Sequence, residues 1–296
     1  MKITFLGTGS MVPTAERNHI SILLSYKNEN ILIDCGEGTQ RQFRKAKISP
    51  AKITRILLTH WHGDHVLGLP GLLSTLQWSE YQGTLEIYGP KGTKNYFHKM
   101  FQGFDNNLTL PVNITEISSG KFIETKDFYI EAHRVDHSAP CLAYNFIEKD
   151  RRNIKVNYIK KFGLKNNPIL RKLSEGKNIT YKGKKILAKN ATVLTKGKKV
   201  SVILDTRYNS NLIKIAKNAD ILIGESTHLN ELKEKSEKYK HLTVKQTSEV
   251  AKRANVKKLI LTHFSQRYKD TNVIEKEAKA VFKNIIISKD LMEVLL

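Results

Sequence analysis

The amino-acid sequence predicts an α/β fold, a two-sheet sandwich with helices outside, assembled from two similar halves. Three observations predict it. Short apolar strands alternate with helical stretches along most of the chain. Two of these strands, Arg55-Ile56-Leu57-Leu58-Thr59-His60 and Lys258-Leu259-Ile260-Leu261-Thr262-His263, echo each other and both end in Thr-His. Each half thus delivers a polar group from a strand's C-terminal end, where open α/β sheets place their sites. The third observation is a segment at about 148–199 that breaks the alternation with dense positive charge.

In order along the chain, Ile3 and Phe5 alternate with polar residues before Gly7-Thr8-Gly9-Ser10, a strand running into a glycine turn. Strands are expected at 20–24 and 30–34, and the tract Gly36-Glu37-Gly38-Thr39-Gln40-Arg41-Gln42 opens a helix. Ile53 to Leu58 reads as a buried strand, and Leu85 to Tyr88 as another, closed by Gly89-Pro90 and followed by a helix. Phe128 to His133 is a further strand. Within 148–199, Gly163, Pro168, Gly176, Gly183 and Gly197 interrupt any long apolar run, and a protruding arm, part helix and part hairpin, is expected. From Val200 the alternation resumes. Val202-Ile203-Leu204 leads to Asp205, and Ile221-Leu222-Ile223 leads to Glu225. Thr243 and Gln246 have the spacing of a capping box for a helix over 244–254.

Composition narrows the function classes. With 296 residues, 40% hydrophobic and 26% charged, the chain is long enough to bury a full core. No apolar stretch approaches the ~20 residues that span a bilayer, so no membrane partner is expected. The N-terminus reaches Gly7 too early for a signal peptide. The two cysteines, Cys35 and Cys141, sit in contexts of buried small residues, and a reducing cytoplasm is the expected location. Net charge is +22, and residues 151–200 hold sixteen Lys or Arg against one acid, Glu175. A field of that sign attracts a polyanion.

The chemistry is carried by His60-Trp61-His62-Gly63-Asp64-His65, directly after the apolar run Ile56-Leu57-Leu58. Imidazole nitrogen and carboxylate oxygen are the borderline donors that suit Zn²⁺. His60 and His62, two apart in extended backbone, project to one side. Gly63 lets the chain turn and present Asp64 and His65 as a second pair. Two ions need more donors than this cluster supplies. His137, Asp205 and His263 stand at strand ends suited to ligation, and a carboxylate at Asp205 could bridge two metals. His19, His98, His133 and His228 are expected to be structural or surface residues.

These residues resemble the metallo-β-lactamase superfamily, whose motif is matched by Thr59-His60-Trp61-His62-Gly63-Asp64-His65 with His137, Asp205 and His263 in order. Within it, the chain resembles the ribonuclease Z family of tRNA 3′-processing endonucleases. That narrower likeness rests on Phe5-Leu6-Gly7-Thr8-Gly9-Ser10, Pro13-Thr14, Arg17-Asn18, Asp34 to Gln42, and Thr262-His263-Phe264-Ser265-Gln266-Arg267-Tyr268.

The resemblance implies a metallo-β-lactamase αββα sandwich, a single domain over 1–296, with an inserted tRNA-binding arm at about 148–199. It implies two Zn²⁺ per subunit, one on His60, His62 and His137, the other on Asp64, His65 and His263, with Asp205 bridging. Asp64 would also orient the attacking water or accept its proton. Glu225 matches the family's glutamate, and His241 its partner histidine, the candidate proton donor to the leaving oxygen. The substrate implied is precursor tRNA, cut after the discriminator base to leave a tRNA 3′-hydroxyl and a trailer with a 5′-phosphate. Lys160, Lys161, Lys165, Arg171, Lys172, Lys182, Lys184 and Lys185 would hold its phosphates. A homodimer is implied as well. The alternative is a di-zinc phosphodiesterase or other small-molecule hydrolase of the same superfamily, which would need the same ligands but no basic arm. Ala15 and Leu204 stand where the family carries lysine and glycine, and Gly163 and Pro168 are separated where it pairs them.

Overall fold

A computed structural model describes residues 1–104 and 108–296. Its two compact units comprise residues 1–123, 130–146 and 199–296 in the first, and 124–129 with 147–198 in the second.

The first sheet begins where sequence alternation begins. β1 (Lys2–Gly7) lies between the antiparallel strands β2 (Ser21–Tyr26) and, from the far end of the chain, β18 (Glu293–Leu295). β2 pairs with β3 (Glu29–Ile33), and parallel pairing continues through β4 (Arg55–Leu57), β5 (Leu85–Gly89) and β6 (Val112–Glu116). Parallel neighbours require crossovers. These are supplied by α1 (Thr39–Lys45), α2 (Gly63–Val66), α3 (Leu69–Trp78) and α4 (Thr93–Gln102). Leu69, Leu72, Leu73 and Leu76 fall at helical spacing along α3 and are fully buried, packed with Leu32, Ile56 and Ile87 of the sheet.

The second sheet runs β17-β16-β15-β14-β9-β8-β7, with β7 (Gly120–Glu124), β8 (Phe128–Val135), β9 (Cys141–Glu148), β14 (Lys199–Ile203), β15 (Ile221–Glu225), β16 (Lys258–Thr262) and β17 (Ile285–Ile287). β14 to β17 are mutually parallel. Helices α8 (Asn211–Ala216), α10 (Val244–Arg253) and α11 (Asn272–Val281) pack on this sheet through Leu212, Val250, Ala251, Ile274 and Ala278, with α9 (Lys233–Tyr239) leading into α10. The capping box forms as expected, Thr243 Oγ1 accepting from Gln246 N–H and Gln246 Oε1 from Thr243 N–H. Inner faces of the two sheets meet through Tyr144, whose hydroxyl donates to the Leu58 carbonyl at 2.7 Å, and through the edge-on rings of Tyr26 and Phe146. Cys35 and Cys141 are both free and buried.

The glycine turn after β1 is forced by close packing. A Cβ on Gly7 would stand 1.8 Å from the His19 carbonyl oxygen, and Thr8 and Gly9 both donate backbone N–H groups to the Asn18 carbonyl. The two segments around Gly7 and Asn18 are therefore one structural object.

In the second unit, β10 (Arg151–Ile154) pairs with β13 (Thr192–Thr195), and β11 (Ile179–Tyr181) with β12 (Lys184–Ile186). α5 (Val156–Lys160), α6 (Leu170–Ser174) and α7 (Ala188–Ala191) complete it. Ile159, Leu164, Leu173, Ile179 and Ile186 form a small apolar core of its own. The sparse apolar residues that look scattered in sequence are thus gathered inside.

Candidate metal centre

All seven expected ligands come together in the first unit. After β4, residues 58–62 form a loop with a bend at Thr59, and His62 returns to extended backbone, φ −75° and ψ 151°, before one helical turn, α2, presents Asp64 and His65. His60 and His62 rings are 4.5 Å apart, and His60 and His65 rings 4.1 Å. His137 follows β8, Asp205 follows β14, and His263 follows β16. The His263 backbone is held in the left-handed region, φ 61°, an uncommon conformation for a non-glycine residue that recurs at functional sites.

The two oxygens of Asp205 divide the cluster. Oδ2 lies 3.8 Å from His60 Nε2 and 3.8 Å from His137 Nε2, which is itself 3.2 Å from His62 Nδ1. Oδ1 lies 3.2 Å from His263 Nε2 and 3.6 Å from His65 Nε2, and both of these nitrogens are 3.4 Å from Asp64 Oδ2. Two donor sets therefore share one carboxylate. Leu204, buried beside it, does not displace Asp205 from this position.

Outer hydrogen bonds aim the rings. His65 Nδ1 donates to Asp34 Oδ2 at 2.7 Å, and His137 Nδ1 to the Lys240 carbonyl at 3.0 Å. His60 Nδ1 meets Thr59 Oγ1, and His263 Nδ1 meets Thr227 Oγ1, each at 3.0 Å. In each of these four, the Nδ1 contact leaves Nε2 directed at the centre, the arrangement by which proteins fix the tautomer of a ligating imidazole.

The residues fit a metal. His60 Nε2, His65 Nε2, His263 Nε2, Asp64 Oδ1 and Asp205 Oδ1 are buried without a hydrogen-bond partner among the described residues. Leaving so many polar atoms unpaired in one place is costly unless something binds them. Ionisation agrees. Burial, reinforced by neighbouring imidazoles, pushes His60 and His62 down, and burial pushes His137 down, so all three favour the neutral, ligating form. Burial alone would raise Asp64 and Asp205, but the surrounding histidines hold both well below the usual carboxylate range. Against burial, Asp64, Asp34 and Asp205 raise His65, which holds a proton where a cation would otherwise neutralise them.

Glu225 and His241 stand beside this cluster but are committed elsewhere. Glu225 accepts from Thr206 N–H (2.9 Å), Thr227 Oγ1 (2.6 Å) and His241 Nδ1 (2.9 Å), so its oxygens are occupied. Burial would lower His241, but Glu225 and then Asp205 outweigh it and raise the imidazole to about 9. A histidine oriented by a carboxylate and kept protonated is equipped to donate a proton.

Sequence reasoning missed Asp34, Thr59, Thr227 and the Lys240 carbonyl as partners of the ligands. It also placed His228 among the structural or surface residues. His228 is buried and bonded to Ser236, as a structural residue would be, but it also lines the cleft over the cluster with Met11, Arg267 and His241. The eight arm residues Lys160, Lys161, Lys165, Arg171, Lys172, Lys182, Lys184 and Lys185 all lie exposed on the second unit, and Arg171 is paired with Glu175.

The family model described as Anti-Pycsar protein Apyc1 matches residues 1–153. The chain is 40% identical to a ribonuclease Z of Methanothermobacter thermautotrophicus over 296 residues, covering 99% of this chain and 96% of that protein. It is 39% identical to a ribonuclease Z of Listeria monocytogenes, covering 98% of each. Among solved structures, the short form of human tRNase Z superposes with a TM-score of 0.71 at 25% identity, covering 100% of this chain and 99% of that one. The metallo-β-lactamase fold protein YhfI of Bacillus subtilis superposes with a TM-score of 0.73 at 19% identity, 99% and 98% covered, a likeness of fold. The match over 1–153 contains His60 to His65 and His137, whereas the full-length relatives also span Asp205, His263 and the basic segment.

Proposed function

The chain belongs to the ribonuclease Z family, its residues 1–153 also falling in the Apyc1 family, and from that premise we propose that the histidine–carboxylate cluster is its cutting centre. The protein is an endoribonuclease that processes the 3′ end of precursor tRNA, hydrolysing the chain after the discriminator base to release the trailer. The observation that carries the assignment of the centre is the convergence of five unpartnered buried ligand atoms, Asp205 Oδ1 among them.

Two Zn²⁺ ions are the proposed occupants, one on His60, His62 and His137 and one on Asp64, His65 and His263, with Asp205 shared. When bound, such a pair lowers the pKa of water and neutralises charge on the scissile phosphate. The remaining steps belong to the chain. Asp64, ionised and 3.4 Å from His65 and His263, orients the attacking water or accepts its proton. Glu225, held by three donors, fixes His241 with Nδ1 engaged, leaving Nε2 to protonate the departing 3′-oxygen. That oxygen is a poor leaving group, so the donor matters. The products are a tRNA 3′-hydroxyl and a trailer 5′-phosphate.

Residues of about 148–199 are proposed as the tRNA-binding arm, their lysines and arginines holding phosphates without reading bases. The working species is taken as a homodimer in the cytoplasm. No described helix is long and apolar enough to cross a membrane.

The test is product mapping on a 3′-extended precursor. Release of the trailer at the discriminator, with those chemical ends, is expected and should vanish in Asp64→Ala. Hydrolysis of a small phosphodiester without trailer release would instead favour the small-molecule reading.

A further inference from the structure

The cleft above the ligand cluster encloses about 390 Å³, and Tyr239 is the one non-histidine aromatic among its described lining residues. Tyr239 is 52% exposed, in a lining that also offers Lys235, Arg267 and Gln266 together with the apolar Met11 and Val12. Lys235 lies four residues earlier on α9, hence on the same helical face. It makes no ion pair with the described residues, whereas Lys233, two positions earlier, pairs with Glu237 at 3.7 Å.

This wall is fixed to the centre. The buried Ser236 accepts the His241 N–H at its carbonyl, 2.8 Å, and its hydroxyl contacts His228 Nδ1 at 3.0 Å. Lys240, in the left-handed conformation with φ 56°, ends α9, and its carbonyl takes the His137 Nδ1 proton. Its Nζ holds Asp136 Oδ1 at 2.8 Å and the His137 carbonyl at 3.1 Å. The backbone that carries Tyr239 is therefore held by the same bonds that position a metal ligand and the proton donor. The helix end that carries the ring is thereby held in place relative to the ligands. Lys238 Nζ, 5.7 Å from the ring centroid, is the contact that a ligand would replace.

We propose that Tyr239 and Lys235 form the subsite for the last nucleotide of the tRNA, its base stacked on the Tyr239 ring and a backbone phosphate beside Lys235. The inference rests on the cutting function proposed above. Its chemistry follows from which bond breaks. Hydrolysis cleaves the bond between phosphorus and the 3′-oxygen, and that oxygen stays with the tRNA. The residue that protonates it, His241, must adjoin the terminal tRNA nucleotide, and Tyr239 is two residues away in the same cleft wall. Aromatic stacking is tolerant of base identity because every base has a π-face, which suits an enzyme that must trim many tRNAs.

The test is a double-mutant cycle with the full-length, metal-loaded protein. Three precursors are used: intact, abasic at the last tRNA nucleotide, and abasic at the first trailer nucleotide. Tyr239→Ala should raise KM for the intact precursor by roughly 5- to 150-fold, the equivalent of one lost stacked base, with a smaller change in kcat. Tyr239→Phe should keep the wild-type KM. Removing the last tRNA base should raise the wild-type KM similarly and abolish any further effect of Tyr239→Ala. An equal penalty of Tyr239→Ala on intact and abasic precursors, no penalty at all, or coupling to the first trailer base would overturn the proposal. Failure of the wild-type protein to release any trailer would instead overturn the function on which it rests.

Discussion

Replacing Asp34 by asparagine should weaken metal binding although no ligand is touched. Asp34 has φ 56°, a region that asparagine tolerates, so the exchange adds little backbone strain. Its fully buried carboxylate accepts from Thr59 N–H at 2.7 Å, Thr59 Oγ1 at 2.8 Å and His65 Nδ1 at 2.7 Å. Asparagine exchanges one of those acceptor oxygens for a donating amide. If its oxygen stays on the Thr59 N–H, the amide faces His65 Nδ1, which must then accept. The His65 proton moves to Nε2, the atom aimed at Asp64 and Asp205. If the amide turns the other way, the Thr59 N–H loses its acceptor. Either arrangement forfeits a buried hydrogen bond, about 1–3 kcal/mol. Outer partners of metal ligands typically contribute 10–100-fold in affinity. The expected result is a Kd for zinc raised by about 10–100-fold, read by competition against a chromophoric chelator, with thermal melting as the check on folding. A variant that folds normally and binds zinc as tightly as the wild type would refute the tautomer argument.

Three further outcomes are expected. Replacing Lys182, Lys184 and Lys185 together by alanine should weaken precursor binding and flatten the plot of log affinity against log salt by about 2–3, since each phosphate contact contributes roughly 0.7–0.9 to the slope; an unchanged slope in filter binding would remove these residues from the interface. His228 is held down at about 4 by burial and then by the charges of His241, Arg267 and Lys235, so it stays neutral in the fold while the unfolded chain binds a proton near pH 6.5. Its contribution to stability is therefore present above about pH 6.5 and lost as pH falls toward 4, by up to about 3 kcal/mol; urea melts at pH 7 and 5 should show a smaller difference in His228→Gln. Gly7→Ala should destabilise by about 4 kcal/mol or more, because its Cβ would meet the His19 carbonyl oxygen at 1.8 Å; a melting temperature near that of the wild type would contradict the forced turn.

Much of the fold and the ligand set was legible because their signals are local. His60-x-His62-x-Asp64-His65 declares itself within six residues, and the echo of Thr59-His60 in Thr262-His263 marks two strands whose ends converge. Asp205 and His137 are legible as polar residues closing apolar strands. What stayed hidden depends on contacts made across the chain. Asp34 is 31 residues from His65 and was visible only as part of a glycine-rich tract, with nothing to show that its carboxylate reaches that ring. Thr227 meets His263 36 residues away, and the Lys240 carbonyl reaches His137 over 103 residues. A backbone carbonyl carries no side-chain signal at all. His228 is buried and bonded to Ser236 as a structural residue would be, but that it also lines the cleft depends on contacts with the next helix, which sequence spacing does not reveal. The small core of the second unit is spread over Ile159, Leu164, Leu173, Ile179 and Ile186, too dispersed among lysines to show a helical or strand period.

The most direct test of the central claim is to strip the protein of metal and titrate zinc back while following trailer release from a precursor tRNA. The account predicts no release from the stripped protein and activity that climbs to a plateau at two equivalents of zinc per chain. Full trailer release by the stripped protein, or none at saturating zinc, would contradict it.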